Sequence, residues 1–185
     1  MSTTSLRKDH ELIEKVIKAM QSTIDLLNNN TKIPESILLP VIDFSKNFTD
    51  VCHHTKEEKS LFPALEQAGM PTKMGPIAMM LVDHQRSREI GNEMEKSANE
   101  YILSGNSEKL ISDMQLYVDH VTEHLWKENN KLFMMAEARL QHVSKKVDEE
   151  LHDIEKSQLN ELGKSRQHYE ELAKNLTNDV SNQGN

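Results

Sequence analysis

The sequence predicts an all-α protein, an antiparallel up-down four-helix bundle with an additional C-terminal helix. Apolar residues recur every three or four positions along four long segments that are joined by short connections. Glycine and proline are scarce, with 6 and 5 of 185 residues, and the aromatic residues are 4 Phe, 3 Tyr and 1 Trp. This composition disfavours an all-β fold and a disordered chain rich in proline and glycine, and the length suits one folded domain.

The first two helices are predicted from this periodicity. The first spans residues 6–27 and ends at the three asparagines that follow it. The second begins at Pro34, a residue that favours the first turn of a helix, and continues to about residue 68. Pro40 and Pro63 lie inside this span, and we expect each to bend the helix rather than replace it by a loop.

The remaining helices follow after short connections that contain glycine. The third is predicted over residues 77–103, and the fourth begins after Ser107, a favourable N-cap, and runs to about residue 140. Helical spacing continues beyond it with an interruption at Gly163, which predicts one further helix. The predicted organisation is a bundle of residues 1–140, a helical extension of residues 141–180 that packs on the bundle or on a partner, and a flexible tail of residues 181–185.

Charge and targeting signals exclude several classes of protein. The chain carries 30 acidic and 22 basic residues, a net charge of −8, with both signs mixed along its length. Nucleic-acid binding rewards a basic surface, so no nucleic-acid partner is expected. The N-terminus has no apolar segment of the signal-peptide type, and no apolar run approaches the roughly 20 residues of a membrane span. We therefore expect a cytoplasmic protein that has no membrane contact.

The cysteine and histidine content restricts the kind of metal site that the chain can form. Nine histidines accompany a single cysteine, Cys52. One thiol cannot supply a disulfide framework, a cysteine-based zinc site or an iron–sulfur cluster. A metal site in this chain would therefore use imidazole and carboxylate ligands. We expect Cys52 itself to be a small buried residue.

A repeated motif supplies such ligands. The pattern H-x-x-x-E-x-x-x-L-F occurs in the second helix, starting at His53, and in the fourth, starting at His124. Residues four apart lie on one face of a helix, so each histidine and its glutamate can reach one point in the bundle core. The first and third helices each offer one histidine directly after an aspartate, at residues 9–10 and 83–84.

The six candidate ligands have the chemistry of a site for two bridged cations. A carboxylate can bridge two ions with its two oxygens, while neutral imidazoles complete each end. Four imidazoles and two carboxylates suit a pair of irons better than manganese or zinc. Without a metal, each glutamate buried in a bundle core would cost about several kcal/mol. The candidate metal ligands are His10, His53, Glu57, His84, His124 and Glu128.

Two alternatives for the ligand set remain open at this stage. His54 and Glu58 are also four residues apart and would point about 100° further round the second helix. The leucine–phenylalanine pair that both copies of the motif share favours the first register over this one. His120, one turn before His124, is a candidate for a further ligand or for a contact with a ligand. The aspartates that precede the histidines in the first and third helices are expected in solvent, and a contact with a ligand from another helix is the alternative.

These motifs resemble the hemerythrin family in its HHE cation-binding form. The similarity covers residues 6–140, and H-x-x-x-E-E-x-x-L-F-P at residues 53–63 is its most specific part. The fourth-helix motif is similar to that of the di-iron iron–sulfur-repair (RIC) branch, whose cysteine-containing N-terminal domain has no counterpart in this sequence. The resemblance implies a four-helix bundle that holds a non-haem di-iron centre. Oxygen-carrying members place a second histidine one turn along the third helix, where this sequence has Arg88.

The resemblance implies reaction with dioxygen, hydrogen peroxide or nitric oxide, in stress responses or iron handling, and leaves enzymatic turnover open. Four imidazoles and two bridging carboxylates fill eight of the twelve positions on two six-coordinate irons, and an oxide bridge fills two more, which leaves two for reactants. An iron- or oxygen-binding sensor or carrier without turnover is one alternative, and a metal-free helical interaction protein is a second. Ferritin-like oxidases are disfavoured because they use Glu-x-x-His. We expect a monomer, or a homodimer formed through the C-terminal helix.

Overall fold

A computed structural model describes residues 3–183, and these residues confirm the all-α prediction. No strand occurs among them. Four long helices form the bundle: α1, Thr4–Asn28; α2, residues 35–67; α3, Pro76–Ser104; and α4, residues 108–139. The predicted boundaries lie within two residues of these. Of the helices in the described part of the chain, none has the length and apolar character that crossing a bilayer requires.

Neighbouring helices of the bundle run antiparallel, as contacts between their side chains show. Arg7 near the start of α1 pairs with Glu137 near the end of α4, whereas Gln21 further along α1 contacts Gln115 near the start of α4. The same reversal of order relates α2 to α3 and α3 to α4. The four helices therefore have the up-down arrangement that short connections favour.

Parts of α2 and α4 are wound more widely than an α-helix. α2 passes through both internal prolines without a break, and over Phe44–His54 and Glu57–Leu61 its backbone has the π-helical pattern of bonds to the carbonyl five residues back. α4 has the same wide turn at Glu128–Leu132. The π-helical segments Glu57–Leu61 and Glu128–Leu132 each begin at the glutamate and end at the leucine of the repeated motif. Both copies of the motif therefore fold alike. Wide turns of this kind are rare and frequently occur at functional sites.

The buried apolar side chains form two clusters, one on each side of a polar layer. In α1, Leu6 belongs to the smaller cluster and Leu12 to the larger one, with His10 between them. The other three helices repeat this arrangement, with the smaller and larger clusters represented by Leu61 and Cys52 in α2, Met80 and Ile90 in α3, and Leu132 and Leu125 in α4. The candidate ligands therefore lie in a layer that crosses the bundle between two apolar blocks, which exclude water from it.

Beyond the bundle, the structure has two helices where the sequence predicts one. A 3₁₀ turn leads into α5, Ser144–Glu161, and α6 is Arg166–Gln183. The turn between them contains Gly163 with a φ of 63°, a left-handed conformation that glycine adopts without steric cost. α5 and α6 together run back along α2, since Glu150 of α5 bonds to Ser60 in the C-terminal part of α2. The apolar period continues across Gly163, so periodicity alone does not reveal the break.

The last helix is packed on the bundle. The side chain of Tyr169 is fully buried, and its ring lies 5.9 Å from that of Phe44 and 5.2 Å from that of Phe48 in α2. α6 also continues into the segment predicted as a flexible tail, with Val180 buried. Residues 184 and 185 of that tail lie outside the described residues.

Replacing Tyr169 by alanine should lower the free energy of unfolding by about 3 kcal/mol or more, because the change empties a buried aromatic site between α6 and α2. Urea unfolding followed by circular dichroism measures the effect. Leu103→Ala is the matched control, since Leu103 is 88% exposed and its truncation should change stability by less than about 0.5 kcal/mol. Equal stabilities for the two variants would contradict the packing of the extension on the bundle.

Candidate metal centre

Five imidazoles and two carboxylates converge in the polar layer, and all seven side chains are at most 2% exposed. Their ligand atoms lie within 4.8 Å of one another in three overlapping groups. The first contains two histidines from α1 and α2 with both glutamates, the second contains three histidines from α2, α3 and α4, and the third joins two of those three to the same glutamates. These side chains are His10, His53, His54, His84, His124, Glu57 and Glu128.

The two glutamates lie between the two sets of histidines. Glu128 has its Oε2 atom 3.2 Å from His10 Nε2 and 3.4 Å from His124 Nε2. Glu57 has its Oε2 atom 3.7 Å from His53 Nε2 and 3.3 Å from His84 Nε2. Each carboxylate therefore contacts imidazoles of both sets, and Glu128 Oε1 also lies 3.9 Å from His84 Nε2.

Each imidazole turns its Nδ1 atom outward and its Nε2 atom inward. Four Nδ1 atoms lie within hydrogen-bond distance of a side-chain oxygen, and in the fifth, His124, Nδ1 lies 3.7 Å from an Asp83 oxygen. A proton on Nδ1 leaves the Nε2 lone pair free to bind a metal. The four hydrogen-bonded pairs are His10–Asn129 at 3.0 Å, His53–Asp9 at 3.2 Å, His54–Asp50 at 3.3 Å and His84–Glu58 at 2.8 Å.

The inward-facing atoms fit a metal site. The Nε2 atoms of His54, His84 and His124 and all four oxygens of the two glutamates are buried without a hydrogen-bond partner among residues 3–183. Buried polar atoms are ordinarily satisfied, so this concentration of unpaired lone pairs in one layer calls for a cation. Two ligand atoms that share a metal ion, each about 2 Å from it, lie about 3 to 4 Å apart. The distances of 3.2 to 3.7 Å between glutamate oxygens and imidazole nitrogens fall in this range. Imidazole with carboxylate is a donor set that iron, manganese or zinc accepts.

The pKa shifts of two of the seven groups favour their metal-binding forms. Burial raises the pKa of Glu128, but His124, His10 and His84 outweigh it and hold that pKa well below its ordinary value. Burial lowers the pKa of His54 well below its ordinary value, and His84 and His124 add to the effect. Glu128 is therefore ionised and His54 is neutral, the forms in which both bind metals.

The structure brings the six candidate ligands together and adds His54 to them. The two registers of the second helix do not exclude each other, because the wide turn of α2 lets His53 and His54 both face the layer. Glu58 is outside the three groups and accepts a hydrogen bond from Nδ1 of His84. His120 also lies outside them, and its Nε2 is 2.9 Å from the backbone oxygen of Asp83. The sequence pattern assumes a uniform rotation of 100° per residue, which does not hold in the wide turn.

Arg88 orients two of the imidazoles. Its Nε donates to Asp50 Oδ1 and its Nη2 to Glu58 Oε1, both at 2.7 Å. Those two carboxylates accept the outward hydrogen bonds of His54 and His84. In the sequence, Arg88 stands where oxygen-carrying members have a histidine, and nothing in the pattern connects it to the residues of α2 that it contacts.

The aspartate of α1 makes the alternative contact, with a ligand from another helix, and is not in solvent. Asp9 is fully buried and accepts a hydrogen bond from His53, because it turns from α1 towards α2 instead of away from the layer. Asp83 in α3 is partly exposed and pairs with Lys127 at 3.2 Å. The Asp-His dipeptide that both helices share was the available signal for Asp9.

Comparison with known protein families matches residues 1–136 to the family described as the hemerythrin HHE cation binding domain. No curated protein and no solved structure matches the chain. The matched range contains all seven converging side chains and ends before α5 and α6.

Arg88→Met should weaken metal binding at the position of His54 and His84 by about tenfold or more, because both imidazoles lose the anchor of their carboxylate partners. Calorimetric titration with a divalent metal measures the change. Arg86→Met is the matched control, since exposed Arg86 pairs only with Glu89 among the described residues. Identical titration curves for the two variants would contradict the role of Arg88.

The thiol of Cys52 should be unreactive in the folded protein. Burial raises its pKa from the ordinary value of 9.0 to about 12, so thiolate is almost absent at pH 8. A chromogenic disulfide reagent at pH 8 should label the native protein at least about a hundredfold more slowly than the protein unfolded in guanidinium. Rapid labelling of the native form would show that the thiol is accessible.

Proposed function

Because the chain belongs to the hemerythrin HHE cation-binding family, we propose that it holds two iron ions and presents them to dioxygen, hydrogen peroxide or nitric oxide. The observation that carries the proposal is the set of inward Nε2 lone pairs around two ionisable carboxylates. His10 and His53 would bind one ion, and His54, His84 and His124 the other. Glu57 and Glu128 would bridge the pair.

The protein contributes ligands, orientation and a dry environment to this chemistry. When bound, two irons supply coordination positions and electrons for reaction with small oxidants or diatomic ligands. The apolar clusters on either side of the layer exclude water, and the outward hydrogen bonds hold the imidazoles in position. A cavity of about 220 Å³ that is lined by His54, Arg88 and Tyr117 lies beside the ion that His54 would bind.

His54 changes the number of positions left for a reactant. Five imidazoles and two bridging carboxylates fill nine of the twelve positions on two six-coordinate irons. With an oxide bridge, one position remains, on the ion that has two imidazoles. One position favours a single small ligand over two reactants. This observation supports a second candidate function, reversible binding of dioxygen by a carrier or sensor without turnover.

A metal-free interaction protein is the less favoured reading. Two glutamates with no hydrogen-bond partner in the described part of the chain would cost about several kcal/mol each if the layer held no cation. Burial lowers the pKa of His84 and of His10, but Glu128 outweighs it and raises both, so these imidazoles are the compensating groups when no metal is bound. A metal pair would satisfy the glutamate oxygens and also the Nε2 atoms of His54, His84 and His124, which have no hydrogen-bond partner among residues 3–183.

Protein purified from iron-supplied cells should contain about two irons per chain and show an iron–oxo absorption band in air. Elemental analysis and absorption spectroscopy measure both. Glu57→Ala should lose both irons because it removes a bridging carboxylate. Glu58→Ala, the adjacent matched control, should retain them with weaker affinity because Glu58 contacts only His84 of the seven. Fewer than about one iron per chain in the unmodified protein would refute the proposal.

Binding and turnover are separated by adding hydrogen peroxide or dioxygen to the reduced, iron-loaded protein. If the one open position binds a single ligand reversibly, excess dioxygen should change the spectrum of the reduced protein by an amount that corresponds to one ligand per chain. The original spectrum should return when the gas is removed. If each chain instead consumes many equivalents of peroxide, the protein turns over, which favours chemical reaction at the irons over reversible binding.

A further inference from the structure

The C-terminal helices come next to the polar layer at a largely buried cluster of charged side chains. Glu155 of α5 and Arg166 of α6 meet Asp9 of α1 and Lys56 of α2. Asp9 and Lys56 are fully buried, and Glu155 is 8% exposed. α5 and α6 lie outside residues 1–136, so the family resemblance does not account for this contact.

The four side chains form a closed ring in which each cation contacts both carboxylates. Lys56 Nζ lies 2.5 Å from Asp9 Oδ2 and 2.6 Å from Glu155 Oε2. Arg166 Nη1 lies 2.7 Å from Asp9 Oδ1 and 3.0 Å from Glu155 Oε2. Two positive and two negative charges balance, which is the condition under which buried ions are tolerated.

This ring fixes the side chain that orients His53. Both oxygens of Asp9 are held by cations, one from α2 and one from α6, so its carboxylate cannot rotate freely. Asp9 Oδ2 also accepts the hydrogen bond from Nδ1 of His53 at 3.2 Å. On the inward side, His53 Nε2 is 3.2 Å from His10 Nε2, a separation that fits two ligands of one ion.

We propose that Arg166 and Glu155 are positioning residues for the metal ion bound by His10 and His53, and that the C-terminal helix pair sets the binding strength of this ion through Asp9. The inference rests on the proposed function, since it takes the layer to hold two ions. Two imidazoles of the other ion, those of His54 and His84, are oriented separately through Arg88 within the bundle. The two ions therefore depend on different parts of the chain.

The test is a titration of the metal-free protein with cobalt(II), whose visible absorption reports the ligands around it. The unmodified protein should bind two equivalents. Arg166→Met should weaken one equivalent by about tenfold and shift its absorption band, and leave the other unchanged. His10→Ala identifies the affected equivalent, because it removes a ligand of the same ion.

Two further variants separate positioning from general stability. Arg166→Lys keeps a cation near Asp9 and should restore much of the lost affinity. Glu170→Gln removes the exposed partner of Arg166, 3.1 Å away, and leaves the contacts with Asp9 in place, so it should bind both equivalents normally. Thermal unfolding of the metal-free variants, followed by circular dichroism, checks that each one is folded at the titration temperature.

The outcomes are distinct. Selective loss in Arg166→Met with recovery in Arg166→Lys supports the inference. Normal binding of both equivalents by Arg166→Met, or equal weakening of both, overturns it and leaves the proposed function intact. If the unmodified protein binds fewer than about one metal ion per chain, the proposed function is refuted and the inference is refuted with it.

Discussion

The burial of two glutamates at the centre of a helical bundle is the constraint on which the rest of the structure depends. Glu57 and Glu128 are fully buried, and no hydrogen bond from the described residues satisfies their oxygens. Desolvation of such groups costs about several kcal/mol each unless positive charge compensates it. The inward imidazoles, the dry layer between two apolar clusters and the proposed metal pair all follow from that requirement. A cation bound by the folded form alone would add its binding energy to stability.

Orientation of the imidazoles depends on a second set of charges outside the layer. Each of four histidines donates its outward N–H to a side-chain oxygen, and three of those oxygens belong to carboxylates. Arg88 holds the carboxylates behind one set, and the ring of Lys56, Glu155 and Arg166 holds the carboxylate behind His53. The two sets of histidines therefore have different surroundings. If two ions are bound as proposed, this asymmetry would let them differ in affinity and reactivity.

The fold could be predicted almost completely from the sequence, and the extension shows where prediction stops. Long amphipathic segments and short connections determine the number, direction and approximate ends of the four bundle helices. The break at Gly163 separates α5 from α6, yet the apolar period continues through it. Periodicity reports which residues are buried and not whether the chain bends between them. At Pro40 and Pro63 the opposite holds, because proline commonly ends a helix but here the helix continues through both residues.

The sequence by itself determined the chemistry of the site, because a repeated spacing of four places His and Glu on one helix face wherever that helix lies. It therefore identified six of the seven converging side chains, and the family to which the chain belongs. Only the tertiary structure decided that His53 and His54 both enter the layer, because a wide helical turn changes the direction of side chains without leaving a mark in the spacing. It also decided the partners of Asp9, Lys56 and Arg166, which are far apart in the chain and meet only when separate helices pack.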